Sequence, residues 1–256
     1  LAAGTLLSGP IGSADGTGNQ ITIGGSLLDA TNASIVLTGQ PTQSSSTDVV
    51  TMAQPAGVPQ VRLTSSTLSM ETNSSGLEFG SGTGTTTYSG LLLIASNSSI
   101  AMQGSLLGDE GWTVSTTEAS VPLIQLSNTS LDNTIQGTRS PILGFRNTSL
   151  TLAGPFLSMT GGSLTTSEAL LFLGNSARLT GTTTSPLLQL TGGTLDLSGG
   201  TYPSYPTTGG TYTDTSGRFL DMSSSDPAYP ATLSLAGPLL IASGTTPKII
   251  TRESYA

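Results

Sequence analysis

Two aspartates are the first residues whose type and placing could do chemistry. Asp196 and Asp221 each follow a leucine in a short alternating segment, which would set both carboxylates on one outward face, one or two repeats apart. Paired carboxylates are what hydrolysis of a glycosidic bond requires. A polysaccharide lyase would also need a basic side chain near its base, but Arg139, Arg146, Arg178 and Arg218 are scattered along the chain. Calcium would need several oxygen ligands together, and the Gly-Gly-x-Gly-x-Asp pattern of calcium-binding repeats is missing. Both acids therefore read first as solvated outward residues, and no catalytic residue is assigned. The chain has no cysteine and no histidine. Disulfides, thiolate metal sites, Ser-His-Asp and Cys-His catalysis and every histidine-based metal site are excluded on that ground. No metal or cofactor is expected.

Aromatic side chains offer a different chemistry, that of contact. Tyr202, Tyr205 and Tyr212 crowd into a Tyr/Pro/Gly-rich insertion at 199–217, Tyr229 sits in a second Tyr/Pro loop, and Trp112 stands beside Asp109 and Glu110. Large, rigid, amphipathic rings favour partner or sugar contacts. The competing reading folds them down over apolar edges. Threonine runs at 83–87 and 182–184 raise ice binding, which needs threonines in register over many repeats. Both runs read as loops that do not recur at the repeat spacing, so that function is set aside. Asn-x-Ser/Thr acceptor sequences occur at Asn32, Asn73, Asn97, Asn128 and Asn147.

All of these residues must be positioned by a repeated phrase. Its best copies begin at Ile142, Phe156, Leu170 and Leu187, and each reads apolar, apolar, any, apolar, then a small polar pair, then a second apolar position. Self-similarity at short period implies stacked units. Within a copy the apolar residues alternate: Leu188 and Leu190 point one way and Gln189 the other; Leu195 and Leu197 point inward and Asp196 outward. That is a strand period. Leucine is a weak strand former, and stacking leucine on leucine would compensate.

Between the two apolar parts lies a column of turn residues: Asn32, Asn97, Asn128, Asn147, Gly161, Asn175 and Gly192, with Ser65 as a variant. Asn and Gly tolerate left-handed backbone angles. Asparagines at equivalent turns could form a ladder, or each could make only a local turn. Spacing along the column roughly halves after Asn128. The shorter spacing suits one coil of a solenoid; the longer suits a coil with an excursion, or two coils of which one is degenerate. On this reading 80–90 is a loop, and 106–120 an excursion.

Composition agrees with a solenoid. Only 9% of residues are charged, hydrophobic residues make up 35%, and net charge is −8. A disordered chain would carry more charge and fewer leucines. A narrow leucine channel with Ser, Thr and Gly outside accounts for both numbers. The balance of 15 acids against 7 bases argues against nucleic acid as a partner and against adsorption to anionic lipid. No apolar run is long enough to span a membrane.

Taken together, the Leu-x-Leu pairs, the Gly-Gly and Asn-Thr-Ser turns, the lack of Cys and His and the acidic Ser/Thr/Gly composition resemble bacterial surface or secreted right-handed β-helices. Filamentous-haemagglutinin-like proteins and autotransporter passenger domains are the relatives in mind. The expected fold is all-β: a right-handed parallel β-helix (β-solenoid) with irregular coil lengths and projecting loops, one domain over 1–256 that forms a segment of a longer chain. The resemblance implies an extracellular, secreted or cell-surface structural or adhesive protein, part of an adhesin, surface filament or surface layer. Its partners would be a protein or glycan on a cell surface, or neighbouring copies of itself, with no direct membrane insertion. The alternative is a carbohydrate-active β-helix enzyme, a polysaccharide lyase or glycoside hydrolase.

Overall fold

The computed structural model describes residues 20–26, 28–37, 49–52, 55, 57–70, 77–81, 85–88, 91–111, 113–134, 141–166, 168–198, 201–203, 211–213, 217–222 and 227–251. Among them there is no helix, and all but two strands fall into four sheets, each parallel throughout.

The first sheet holds Gln20–Ile23, Val49–Met52, Thr85–Tyr88, Thr113–Thr116, Ser149–Leu152, Arg178–Gly181 and Thr232–Leu235. The second holds Leu28–Thr31, Val61–Thr64, Leu93–Ser96, Ile124–Ser127, Leu157–Thr160, Leu188–Thr191 and Leu240–Ser243. The third holds Ser34–Leu37, Thr67–Met70, Ser99–Met102, Ser130–Asp132, Ser163–Thr165, Thr194–Leu197 and Lys248–Thr251. The fourth holds Leu77–Ser81, Leu107–Glu110, Leu143–Arg146, Ala169–Gly174 and Arg218–Asp221.

The chain visits these sheets in cyclic order, first, second, third, fourth, then first again. The fourth joins the cycle at Leu77. Each strand pairs with the strand one turn before it and one turn after. This arrangement is compatible with a parallel β-helix.

Period-two alternation explains why these segments are strands. In Val61–Thr64 the first and third side chains are buried and the second and fourth are not. The next strands of that sheet repeat the pattern, so Leu93 and Ile124 stack in register, as do Ile124 and Leu157. One apolar cluster runs from Ala30 to Leu197 through every turn. Burying each leucine contributes about 2 kcal/mol, which offsets the weak strand propensity of leucine. Phe145 and Phe156, both fully buried, meet edge to face at 5.9 Å within the core.

The repeat length differs from the expectation that the short spacing was one coil. Hydrogen bonds between equivalent corner residues join positions 31, 32 and 33 apart, so the long spacing is the coil. Each full coil contains the phrase twice, once across the second and third sheets and once across the fourth and first. Two halves look alike because each is strand, sharp turn, strand.

The segments expected as loop and excursion also differ. Thr85–Tyr88 is a strand of the first sheet; Leu107–Glu110 and Thr113–Thr116 are strands of the fourth and first. None carries the full phrase. On the first sheet Thr85–Tyr88 and Thr113–Thr116 pair with each other and are held between Val49–Met52 and Ser149–Leu152, and this pairing imposes the conformation on Thr113–Thr116, whose single buried residue is Val114.

Candidate functional site

The corner between the second and third sheets is the best-built feature of the surface. Asn32, Ser65, Asn97, Asn128, Gly161 and Gly192 all have positive φ there, between 46° and 65°. Asn147 (φ 52°) and Asn175 (φ 46°) share the conformation but lie on the other turn, between the fourth and first sheets. The seven residues expected as one ladder therefore form two columns. Along the first column, the Asn128 side-chain amide donates to the Asn97 side-chain oxygen at 3.4 Å, in an exposed position. In the second, the Asn147 backbone N–H donates to the Asn175 carbonyl at 2.8 Å.

Directly inside the first column runs a second, buried line of hydroxyls. The Ala33 N–H donates to Ser66 Oγ at 3.1 Å, and the Ser66 N–H donates to Ser98 Oγ at 3.1 Å. These hydroxyls in turn donate to carbonyls: Ser66 to Thr64 at 2.8 Å, Ser98 to Ser96 at 2.7 Å, and Thr129 to Ala95 and Ser127, both at 3.0 Å. Backbone bonds run on either side of the corner, from the Ser65 N–H to the Ser96 carbonyl and from the Ser99 N–H to the Ser66 carbonyl, and the hydroxyl takes the one amide between them, that of Ser66. Sequence reasoning missed this line. Its signal was present, because a Ser or Thr follows Ser65, Asn97 and Asn128.

In the next two coils the pair becomes Gly161–Gly162 and Gly192–Gly193. Both members have positive φ, and a side chain on Gly162 would run into the Thr129 carbonyl. The four acceptor sequences at Asn32, Asn97, Asn128 and Asn147 are thus parts of turns; Asn73 lies outside the described residues.

Outward strand positions carry further hydroxyls. Thr87, Ser115, Thr151, Thr180 and Ser234 are in register on the first sheet. The Ser115 hydroxyl donates to that of Thr87 at 3.3 Å. A similar column on the second sheet runs from Thr31 through Thr64, Ser96 and Ser127 to Ser243. Such columns repeat at about 4.8 Å and give an uncharged, hydrogen-bonding surface. The recurrence of threonine at the coil spacing, which the sequence did not reveal, is real for 85–87. The run 182–184 does lie in a loop, where Thr182 and Thr183 donate to the Leu152 and Ala153 carbonyls.

The expected aromatic contacts are distributed as follows. Tyr202 and Tyr212 stand opposite one another on an antiparallel hairpin, Thr201–Pro203 with Thr211–Thr213. Tyr229 is 56% exposed, and its carbonyl accepts from the Ser176 N–H at 2.9 Å, which ties its loop to the Asn175 turn. Trp112 and Tyr205 lie outside the described residues. On the outer face of the fourth sheet, the Arg146 guanidinium lies 5.0 Å from the centre of the Phe172 ring.

The two aspartates are not brought onto one face. Asp196 belongs to the third sheet, where its carboxylate accepts from the Ser198 N–H at 2.9 Å. Asp221 belongs to the fourth, is only 8% exposed, and forms an ion pair with Arg218. Each carboxylate already has a structural partner. The shared "leucine then aspartate" pattern misled because it occurs in both halves of a coil. Among the described residues no cluster of three or more acids could hold a metal.

No family model, no curated protein and no solved structure matches the chain.

Proposed function

We propose that this chain is a stiff extracellular spacer: a right-handed parallel β-helix serving as a structural or adhesive part of a bacterial adhesin, surface filament or surface layer. The observation that carries the reading is the cyclic order of four parallel sheets around one leucine core. Right-handedness is supported by the near-universal hand of parallel crossover connections. Stiffness follows from backbone ladders and a core that continue from coil to coil, with no cysteine in the chain to cross-link it. The outward hydroxyl columns and the exposed Tyr229 supply contact chemistry, and the Thr201–Pro203/Thr211–Thr213 hairpin brings two more tyrosines, Tyr202 and Tyr212, opposite one another. A cell-surface protein or glycan, and neighbouring copies of the chain, are the partners this chemistry suits.

The carbohydrate-active alternative loses its carboxylate pair, since Asp196 and Asp221 sit on different sheets. Incubation with acidic and neutral polysaccharides tests both readings. Binding to cells or glycans without release of reducing or unsaturated ends is expected. Turnover abolished by Asp196→Asn or Asp221→Asn would replace the structural reading with the enzymatic one.

A further inference from the structure

The first sheet differs from the other three on its outer side. Its seven strands keep one register throughout, without a shift. The outward hydroxyl column that contains Thr87 and Thr151 extends back through Thr51 to Thr22, so that every coil supplies one member. Two residues earlier in each strand runs a second outward column, and from Thr85 onward it reads Thr85, Thr113, Ser149, Arg178 and Thr232. Thr87, Thr113, Thr151, Thr180 and Thr232 are exposed, and Ser115 and Ser149 are half-buried.

No other sheet carries two such columns side by side. On the second sheet the hydroxyl column is flanked by Arg62, Ile94, Gln125 and Gln189. On the third, Ala101, Asp132, Asp196 and Lys248 interrupt the outward positions. The fourth shifts register between Gly108 and Glu110 and carries Arg146 and Phe172.

The doubled columns form a grid. Neighbouring coils repeat at about 4.8 Å, and alternate residues of one strand at about 6.6 Å, nearly at right angles. These two repeats lie close to those of the water oxygens on a prism face of hexagonal ice. Threonine suits such a grid because its branched side chain is stiff and repeats one hydroxyl direction from coil to coil. Its methyl group restricts the orientations of the water beside it. Charge would pull water into shells of its own, and only Arg178 brings charge into the columns from Thr85 onward. The ground for setting ice binding aside was that threonine does not recur at the repeat spacing. For 85–87 that ground is removed, since Thr85 and Thr87 pair in register with Thr113 and Ser115.

We propose that the outer face of the first sheet binds ice, through water ordered over the paired ranks from Thr85–Thr87 to Thr232–Ser234. The inference goes beyond the spacer reading, which needs no particular ligand on this face. Two ranks depart from the ideal grid. Arg178 breaks one column, and the Ser115 hydroxyl turns aside to donate to that of Thr87 at 3.3 Å.

Partition into ice grown slowly from a solution of the 256-residue chain tests the proposal. Wild type is expected to be enriched in the ice. Thr151→Tyr sets a bulky ring in the middle of the face at an exposed strand position, where tyrosine is well tolerated. It is expected to lower the ice-to-liquid ratio about tenfold or more, the loss of one good contact, with an unchanged melting curve. Arg178→Thr completes the second column and is expected to raise the ratio and to deepen the supercooling at which seed crystals stay arrested, a gain that damage to the fold cannot mimic. Ser130→Tyr, exposed on the third sheet, is expected to change neither. Wild type left in the liquid to the same extent as Thr151→Tyr, Arg178→Thr without a gain, or Ser130→Tyr as harmful as Thr151→Tyr would overturn the proposal. Cell or glycan binding that persists in a chain excluded from ice would sink this inference alone and leave the adhesive reading standing.

Discussion

The Ser66 amide and the Ser98 hydroxyl, 32 residues apart in sequence, are hydrogen-bonded at 3.1 Å in a buried corner. The bond adds to the backbone bonds that flank it, Ser65 N–H to the Ser96 carbonyl and Ser99 N–H to the Ser66 carbonyl, in joining one coil to the next. Removing the acceptor by Ser98→Ala would leave a buried N–H unsatisfied, at a cost of about 1–3 kcal/mol. The exposed neighbour change Ser99→Ala is expected to stay within about 0.5 kcal/mol. Thermal or urea unfolding of the two variants, side by side, gives the comparison.

Gly162 fixes the shape of its corner more strictly than composition suggests. It combines φ +71° with a carbonyl, that of Thr129, where a side chain would begin. Gly162→Ala is expected to destabilise by about 2–5 kcal/mol, from left-handed strain plus overpacking. Gly57 has φ +79° but open space around it, so Gly57→Ala should cost only about 1 kcal/mol. Equal losses at the two sites, read by chemical denaturation, would contradict the corner geometry.

Phe145 lies fully buried against Phe156. Phe145→Ala is expected to cost about 3–5 kcal/mol and to raise hydrogen exchange in the coils on either side before the distant ones. Uniform exchange across the chain would argue against coil-by-coil packing.

Tyr229 is exposed, and its loop is held through its carbonyl, which accepts from the Ser176 amide. If the adhesive reading holds, Tyr229→Ala should weaken cell or glycan binding with stability nearly unchanged, because the anchoring bond uses backbone only. Surface plasmon resonance alongside a melting curve separates the two effects.

Much of the architecture was legible in the residues. The alternation around Leu188 and Leu190, the strand that begins at Ser99 and the left-handed preference of Asn97 and Asn128 are local matters, and local physics decides them. Period was harder. The Asn147 turn and the Asn128 turn have the same chemistry, so a reader of one dimension places them in one column, although they occupy different corners. Thr85–Tyr88 and Thr113–Thr116 were hidden for the opposite reason: their strand state is imposed by flanking coils. The Asp196 and Asp221 pairing failed with the period, since a half-coil error moves a residue to another sheet. Ser66, Ser98 and Thr129 were visible as letters but not as a line, because only stacking shows that each follows a left-handed residue and turns inward.

Loading along the rod has a particular consequence. Each coil is bonded chiefly to its neighbours, with the Ser185 hydroxyl reaching one coil further to the Ala119 carbonyl, and the corners joined by hydrogen bonds between Ala33 and Asn128 are 31 to 33 residues apart. Tension applied to an end would peel one layer while the rest held, releasing slack of roughly 110 Å per layer at about 3.4 Å per residue. If the chain is the adhesive spacer proposed above, it would lengthen stepwise, a mechanical fuse that dissipates shear before the grip at its far end lets go.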